Sequence, residues 1–177
     1  MSASFEFRGH LQWPVLEGGT AGRIHRFETV GRPQLRLSSP AEFGGDGDYH
    51  NPEEMLLAAV SSCQMLTFLA IAEHEGIAVR RYEDDPRLLV RKGKRGLEVE
   101  KIMLRPMIEL ASPEGILRVR ELVQKAHQRC LIAAALACDV FVAPTISAES
   151  TARPTTATPA SHPAAGQTGT AGTAATA

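Results

Sequence analysis

The stretch NPEEMLLAAVSSCQMLTFLAIAEHEG, residues 51–76, constrains the fold more than any other part of the chain. Between Met55 and Ala72 it carries no charged side chain. Its start is well marked. Asn51 is a strong N-cap, Pro52 takes the first helical position, and Glu54 has the spacing of a capping box. Gly76 marks the end. A membrane span needs about 20 apolar residues, so length alone would permit one. Ser61, Ser62, Gln64 and Thr67 interrupt the run, however, and nothing else in the chain resembles a second span. The segment therefore reads as a helix buried on most sides within a protein, and no membrane partner is expected. The other elements have to wrap around it.

Three strands are expected before this helix, at residues 5–13, 22–30 and 33–38, the last two turned by Gly31-Arg32-Pro33. Residues 39–50 form a glycine-rich loop. After the helix, residues 77–93 and 95–110 look like a long hairpin with Gly93 to Gly96 at its tip. Residues 112–137 are again helical. Ser112 is the expected cap, Pro113 opens the helix, and Ile116, Val119, Leu122, Val123 and Ala126 make its apolar face. Residues 138–144 form a closing strand. The order βββ-α-ββ-α-β clusters strands instead of alternating them with helices, which predicts an α+β fold. The fold is expected to occupy residues 1–144. From Thr145 to Ala177 the chain is nearly all Ala, Thr, Pro, Gly and Ser, without aromatics. Such a tail cannot bury enough apolar surface to offset its ordering entropy, and disorder is expected there.

Composition excludes rather than selects. A formal net charge of −1 gives no argument for nucleic acid or an anionic membrane. The basic run RLLVRKGKRG lacks interleaved aromatics for base stacking and reads as a solvated hairpin tip. The opening MSASFEFRGH is not a signal peptide, so a cytoplasmic setting with reduced thiols is expected. Three cysteines, Cys63, Cys130 and Cys138, make no disulfide framework. His127 and Cys130 give an H-x-x-C pair, too few ligands for a structural zinc site, and no metal is expected. The loop FGGDGD lacks the Lys and Ser/Thr of a phosphate-binding loop.

Cys63 lies mid-helix, where a free cysteine commonly packs as a small apolar residue. The dipole of its own helix acts mainly in the terminal turns, so a reactive thiolate would need help from elsewhere. Cys130, beside a break between two helical pieces, has the same bland reading, although Lys125 and Arg129 could favour its thiolate. Glu53 precedes Cys63 by ten residues. Ten residues of straight helix rise about 15 Å, beyond one side chain's reach. If Glu53 serves a Cys63 site, it serves the one on another copy of the chain.

Three segments in this order resemble the OsmC/Ohr family of osmotically inducible and organic hydroperoxide resistance proteins. NPEEMLLAAVSSCQMLTFLAIA is similar to its central-helix motif, and AHQRCLIAAAL to its second-cysteine segment. GRIHRFETVGRPQLRLSSPAEFGGDGDYH is similar to its N-terminal hairpin and the loop into the helix. The resemblance implies an intertwined homodimer with the OsmC-like fold and a thiol-dependent peroxidase acting on organic hydroperoxides. It implies that Cys63 is oxidised to a sulfenic acid, that Cys130 resolves it as a disulfide, and that an external dithiol, lipoyl-type in family members, recycles the pair without a bound cofactor. It makes Glu53 the acid that holds an active-site arginine. The family's Arg-x-His pattern falls on Arg23 and His25, with Arg26 the competitor facing the other side of the strand. The chain departs from its relatives at Gln64, where His is frequent, and at Ala133, Ala134 and Ala135, where Asn-Ser is frequent. Met65, Leu66, Phe68 and Leu69 are expected to give an apolar pocket. Two other readings stay open: a non-enzymatic dimer that binds an apolar ligand or senses peroxide, and a thiol hydrolase or transferase using His127 or His25 as base.

Overall fold

The computed structural model describes residues 4–13, 22–94 and 96–148. Its α+β character is as expected, with nine strands and three α-helices among the described residues. A small antiparallel sheet comes first, with β1 (His10–Gln12) paired to β2 (His25–Glu28) and β2 to β3 (Leu35–Leu37). The expected first strand is cut to three residues. Phe5 and Phe7 lie outside it and are almost fully exposed. Gly31 turns β2 into β3 at φ 72°, a conformation that favours glycine. A parallel bridge of Leu37 to His50 and the Ser38 N–H to His50 carbonyl bond (3.0 Å) tie this sheet to the start of the long helix.

That helix, α1, spans Pro52–His74. Its start is capped as the sequence indicates. The Glu54 N–H donates to Asn51 Oδ1 at 2.8 Å, and the Asn51 N–H donates back to Glu54 Oε2 at 3.3 Å. Gly76, at φ 70°, ends it, and the Ile77 N–H reaches back to the Ala72 carbonyl. By length and apolar content α1 could cross a membrane. Here it packs against α2 and the two sheets of the main body.

The hairpin expected over residues 77–110 is instead four strands: β4 (Val79–Glu83), β5 (Arg87–Gly93), β6 (Gly96–Leu104) and β7 (Met107–Leu110). Prolines sit at both corners. Pro86 and Pro106 have no N–H to give to a ladder, so each expected strand breaks there. The Arg105 N–H donates to Asp84 Oδ1 at 2.7 Å and stitches the two corners together. Two sheets result, ordered β4-β7-β9 and β5-β6-β8.

The second helical region opens with a 3₁₀ turn at Pro113–Gly115, and the Ser112 side chain makes no capping bond. The α-helix α2 runs over Ile116–Arg129, and a four-residue α3 follows at Leu131–Ala134. β8 (Asp139–Val142) pairs parallel with β6. One more strand follows, which the sequence reading had placed in the disordered tail. β9 (Thr145–Ala148) pairs parallel with β7, and the Thr145 N–H donates to the Pro106 carbonyl at 2.8 Å. The ordered fold thus continues past 144 to Ala148. The rest of the expected tail, 149–177, lies outside the described residues.

The core has two parts. Val60, Ile102 and Leu104 form one, under the β5-β6-β8 sheet. Phe68, Ile71, Ala72, Ile108, Leu110 and the buried face of α2 form the other. The first half of α1 serves one part and the second half serves the other. Cys63 lies between them.

Candidate functional site

The buried stripe of α1 is Val60, Gln64, Phe68, Ile71 and Ala72. The open stripe is Ala59, Ser62, Leu66 and Ala70. At 3.6 residues per turn, Cys63 falls on the seam between the stripes, which is why it is half-buried. Cys130 is the next position, one turn on, of the α2 face made by Val119, Val123 and Ala126, and it is fully buried. Its backbone leaves the helix at φ −69°, ψ 105°, and the chain re-enters a helix at Leu131. Both cysteines are free thiols.

Their thiols are close enough to act on each other, and their acidities are pushed apart. Burial acts to raise Cys63, but hydrogen bonds to the Ile132 backbone, to Cys130, to Thr67 and to the Leu131 backbone outweigh it, and the Cys63 thiol is lowered. For Cys130, burial dominates and the thiolate of Cys63 adds to it, so that thiol is raised despite the Ala133 and Ile132 backbone groups. Free N–H groups at the start of α3, left unpaired because the helix was interrupted, favour the anion. No cation is involved. The expected aid from Lys125 and Arg129 does not materialise, since Lys125 reaches Glu75 at 3.4 Å and Cys130 is shifted the other way.

Gln64, fully buried beside Cys63, donates to the Val123 carbonyl at 3.2 Å and leaves its own Oε1 unpartnered. Phe68 is fully buried and Leu69 packs against the same core, so they do not line an open pocket as expected. A mostly apolar groove lies elsewhere. An open groove of about 240 Å³ is lined by Pro40, Phe43, Glu53, Leu57, Leu88 and Val90. Glu53 Oε2 is buried there without a hydrogen-bond partner.

The structure brings Cys63 and Cys130 together. It does not bring Glu53 to them within one chain, in keeping with the rise along α1. Neither of the two expected arginines is paired with Glu53 among the described residues, and Glu53 Oε2 has no hydrogen-bond partner. Arg26 is occupied in the first sheet, donating to Gln12 Oε1 at 2.9 Å and pairing with Glu28 at 3.5 Å. Arg23 is exposed and has no side-chain partner among the described residues, while its carbonyl lies 2.9 Å from His25 Nδ1. Among the described residues no three His, Cys, Asp or Glu side chains are grouped to hold a metal. Thr67 was within reach of sequence reasoning, since it sits four residues after Cys63 on the same helix face. The Leu131 and Ile132 backbone groups were not, since their role depends on where the helix breaks.

Comparison with known proteins bears on the fold and the family. The model of the OsmC-like protein family matches residues 45–144. An uncharacterized protein of Bacillus subtilis, YmaD, is 31% identical over 137 residues, covering 76% of this chain and 88% of its own length. An OsmC-like protein of unknown function from Vibrio cholerae superposes with a TM-score of 0.74 at 25% identity, over 80% of this chain and all of that one. An organic hydroperoxide resistance protein from Elizabethkingia anophelis shares the fold at a TM-score of 0.64 and 21% identity, over 84% of this chain and all of that one. By the family model and by the Bacillus subtilis relative, the chain belongs to the OsmC-like family.

Proposed function

We propose that this protein is a thiol-dependent peroxidase that reduces organic hydroperoxides in the cytoplasm. The observation that carries the reading is the Cys63–Cys130 pair: two free thiols close enough to influence each other, the half-exposed one made more acidic and the buried one less. A nucleophilic thiol needs access and thiolate character; Cys63 is half-exposed and its acidity is shifted toward the thiolate. Its thiolate attacks the peroxide bond of ROOH, takes one oxygen to become the sulfenic acid, and the alkoxide leaves as ROH after gaining a proton. Cys130 then attacks the Cys63 sulfur, water leaves, and a disulfide forms. An external dithiol, lipoyl-type by analogy with the family, returns both thiols by exchange.

A homodimer completes the site in this reading. Two features support it. The open stripe of α1 is made of small or apolar residues, with Leu66 58% exposed, and a second copy would cover it. Glu53 presents an unpartnered Oε2 to a groove too far along α1 to serve its own Cys63. On the partner's thiol it would hold the guanidinium of Arg23, free to do so because Arg26 is already bound. The arginine would then stabilise the thiolate and the developing alkoxide. Phe43, Leu57, Leu88 and Val90 would receive the substrate's alkyl chain.

The test is steady-state consumption of cumene hydroperoxide with dithiothreitol by the wild type, Cys63→Ser and Cys130→Ser. Turnover by the wild type, none by Cys63→Ser and a single unrecycled oxidation in Cys130→Ser support the reading. Wild-type consumption no faster than a free thiol would remove it.

A further inference from the structure

The groove at the head of α1 has a built shape. Leu57 on α1 and Leu88 on β5 form its floor, and both pack against the buried Val60, Ile102 and Leu104. Val90 adds to the β5 side, and the half-exposed Phe43 forms the wall on the side of the 39–50 loop. That loop is pinned. The Phe43 and Gly45 N–H groups both donate to the Pro40 carbonyl at 3.0 Å, and the Asp46 N–H donates to Ser38 Oγ at 3.0 Å. A Cβ at position 45 would collide with the Ser39 carbonyl, so only glycine lets the loop fold back this closely. The walls therefore stand in place before a ligand arrives.

Its charge is one-sided. The ionisable residues that line it are Glu53 and Glu54, and no base joins them among the described residues. Glu53 Oε2 is buried without a partner, and Glu54 is held in the capping box. The bases next to Leu88 and Val90 in sequence are engaged elsewhere, Arg87 with Asp85 at 3.3 Å and Arg91 with Glu98 at 3.6 Å. Arg23, placed at Glu53 in the reading above, does not reverse the sign. One guanidinium then faces Glu53, Glu54 and the partner's thiolate. Size is limited as well. A cavity of about 150 Å³ holds the six carbons of benzene. On that scale a groove of about 240 Å³ holds about ten non-hydrogen atoms.

We infer that this groove is a subsite for a compact, uncharged apolar group of about ten non-hydrogen atoms, the size of a cumyl group. That the group is the organic part of a hydroperoxide rests on the peroxidase reading above. The substrate class is then neutral aryl and short-chain alkyl hydroperoxides, and ionised fatty-acid hydroperoxides are disfavoured. A carboxylate brought to the groove meets two like charges and no surplus cation. The apolar walls give it no hydrogen bond in exchange for the water it sheds.

The probes are 1-octanol and octanoate, which share a chain and differ in the charge of the head, so the test does not depend on peroxide chemistry. Each is titrated into the reduced protein at neutral pH, and the methyl resonances of Leu57, Leu88 and Val90 are followed by NMR. Saturable shifts at these residues are expected with 1-octanol. Octanoate should bind about tenfold more weakly, about threefold for each like charge several ångströms away in water. Glu54→Gln keeps the capping-box hydrogen bond and removes one charge, so it should narrow the difference about threefold. In turnover, kcat/KM for cumene hydroperoxide should exceed that for linoleic acid hydroperoxide by a similar factor, again narrowed in Glu54→Gln. Octanoate bound as tightly as 1-octanol, shifts that spare all three residues, an unchanged preference in Glu54→Gln, or faster turnover of the fatty-acid hydroperoxide would overturn the inference. If 1-octanol binds there in preference to octanoate while no hydroperoxide is consumed, the peroxidase reading fails and the subsite stands.

Discussion

The Gln64 side chain donates to the Val123 carbonyl at 3.2 Å, tying α1 to α2 one residue after Cys63 and two turns before Cys130. The bond joins the two helices that carry the thiols, and a rigid link there sets how far apart the sulfurs can drift. Gln64→Leu keeps the volume and removes the unpartnered Oε1. Its urea-unfolding free energy is expected within about 1 kcal/mol of wild type, since both the bond and the orphan acceptor go. Gln64→Ala leaves a void in a close-packed region and is expected to cost about 2–3 kcal/mol. The Cys63–Cys130 disulfide should form more slowly in the Ala variant than in the Leu variant.

The two thiols should be separable by alkylation. The thiolate is the reactive form, so a lowered Cys63 moves reactivity to lower pH. With iodoacetamide and peptide mass mapping, Cys63 is expected to label with a midpoint below the ordinary thiol value of about 8.5. Cys130, raised and buried, should stay unlabelled through that range in the folded protein. Equal labelling of both cysteines at pH 7 would contradict the assignment of roles.

Asn51 closes a reciprocal capping box with Glu54. Asn51→Ala should cost about 1 kcal/mol in global stability, read from the denaturation midpoint at unchanged slope. Because Glu53 lies in the same first turn, fraying there should also lower hydroperoxide turnover more than disulfide formation by diamide.

If the site is shared between copies, two dead variants should rescue each other. Glu53→Gln and Cys63→Ser homodimers are mixed, dissociated and reassociated. In the mixed dimer an intact Cys63 meets the partner's intact Glu53, so turnover is regained in part. Recovery no greater than the sum of the separate variants would place Glu53 and Cys63 in one chain or in no common site. Leu66→Glu, set in the open stripe of α1, should sediment as a monomer.

The legible parts of this molecule are those where local chemistry and tertiary structure agree. The caps of α1, the apolar face of α2 and the Gly93–Gly96 turn could be read directly. The corners at Pro86 and Pro106 could not, because strand-like residues lie on both sides of each proline while the strand changes sheet. β9 was hidden in a composition shared with the tail. Its order comes from pairing with β7 and from Ile146 packing on the core, neither of which is local. In the site, the resemblance to a known family picked out Cys63 and Cys130.

β8 and β9 complete the two main sheets by parallel pairing to β6 and β7, strands made some 35 residues earlier in synthesis. A chain growing from its amino end therefore holds two sheets with open edges until its final strands appear. Leu104 and Leu110, both buried in the finished fold, are flanked by those edges in the interim. Such long-range closure is slow, and open edges invite pairing with other chains. The carboxy-terminal strands thus act as the latch of the fold, and its period of greatest exposure to misassembly ends only as the last of them docks.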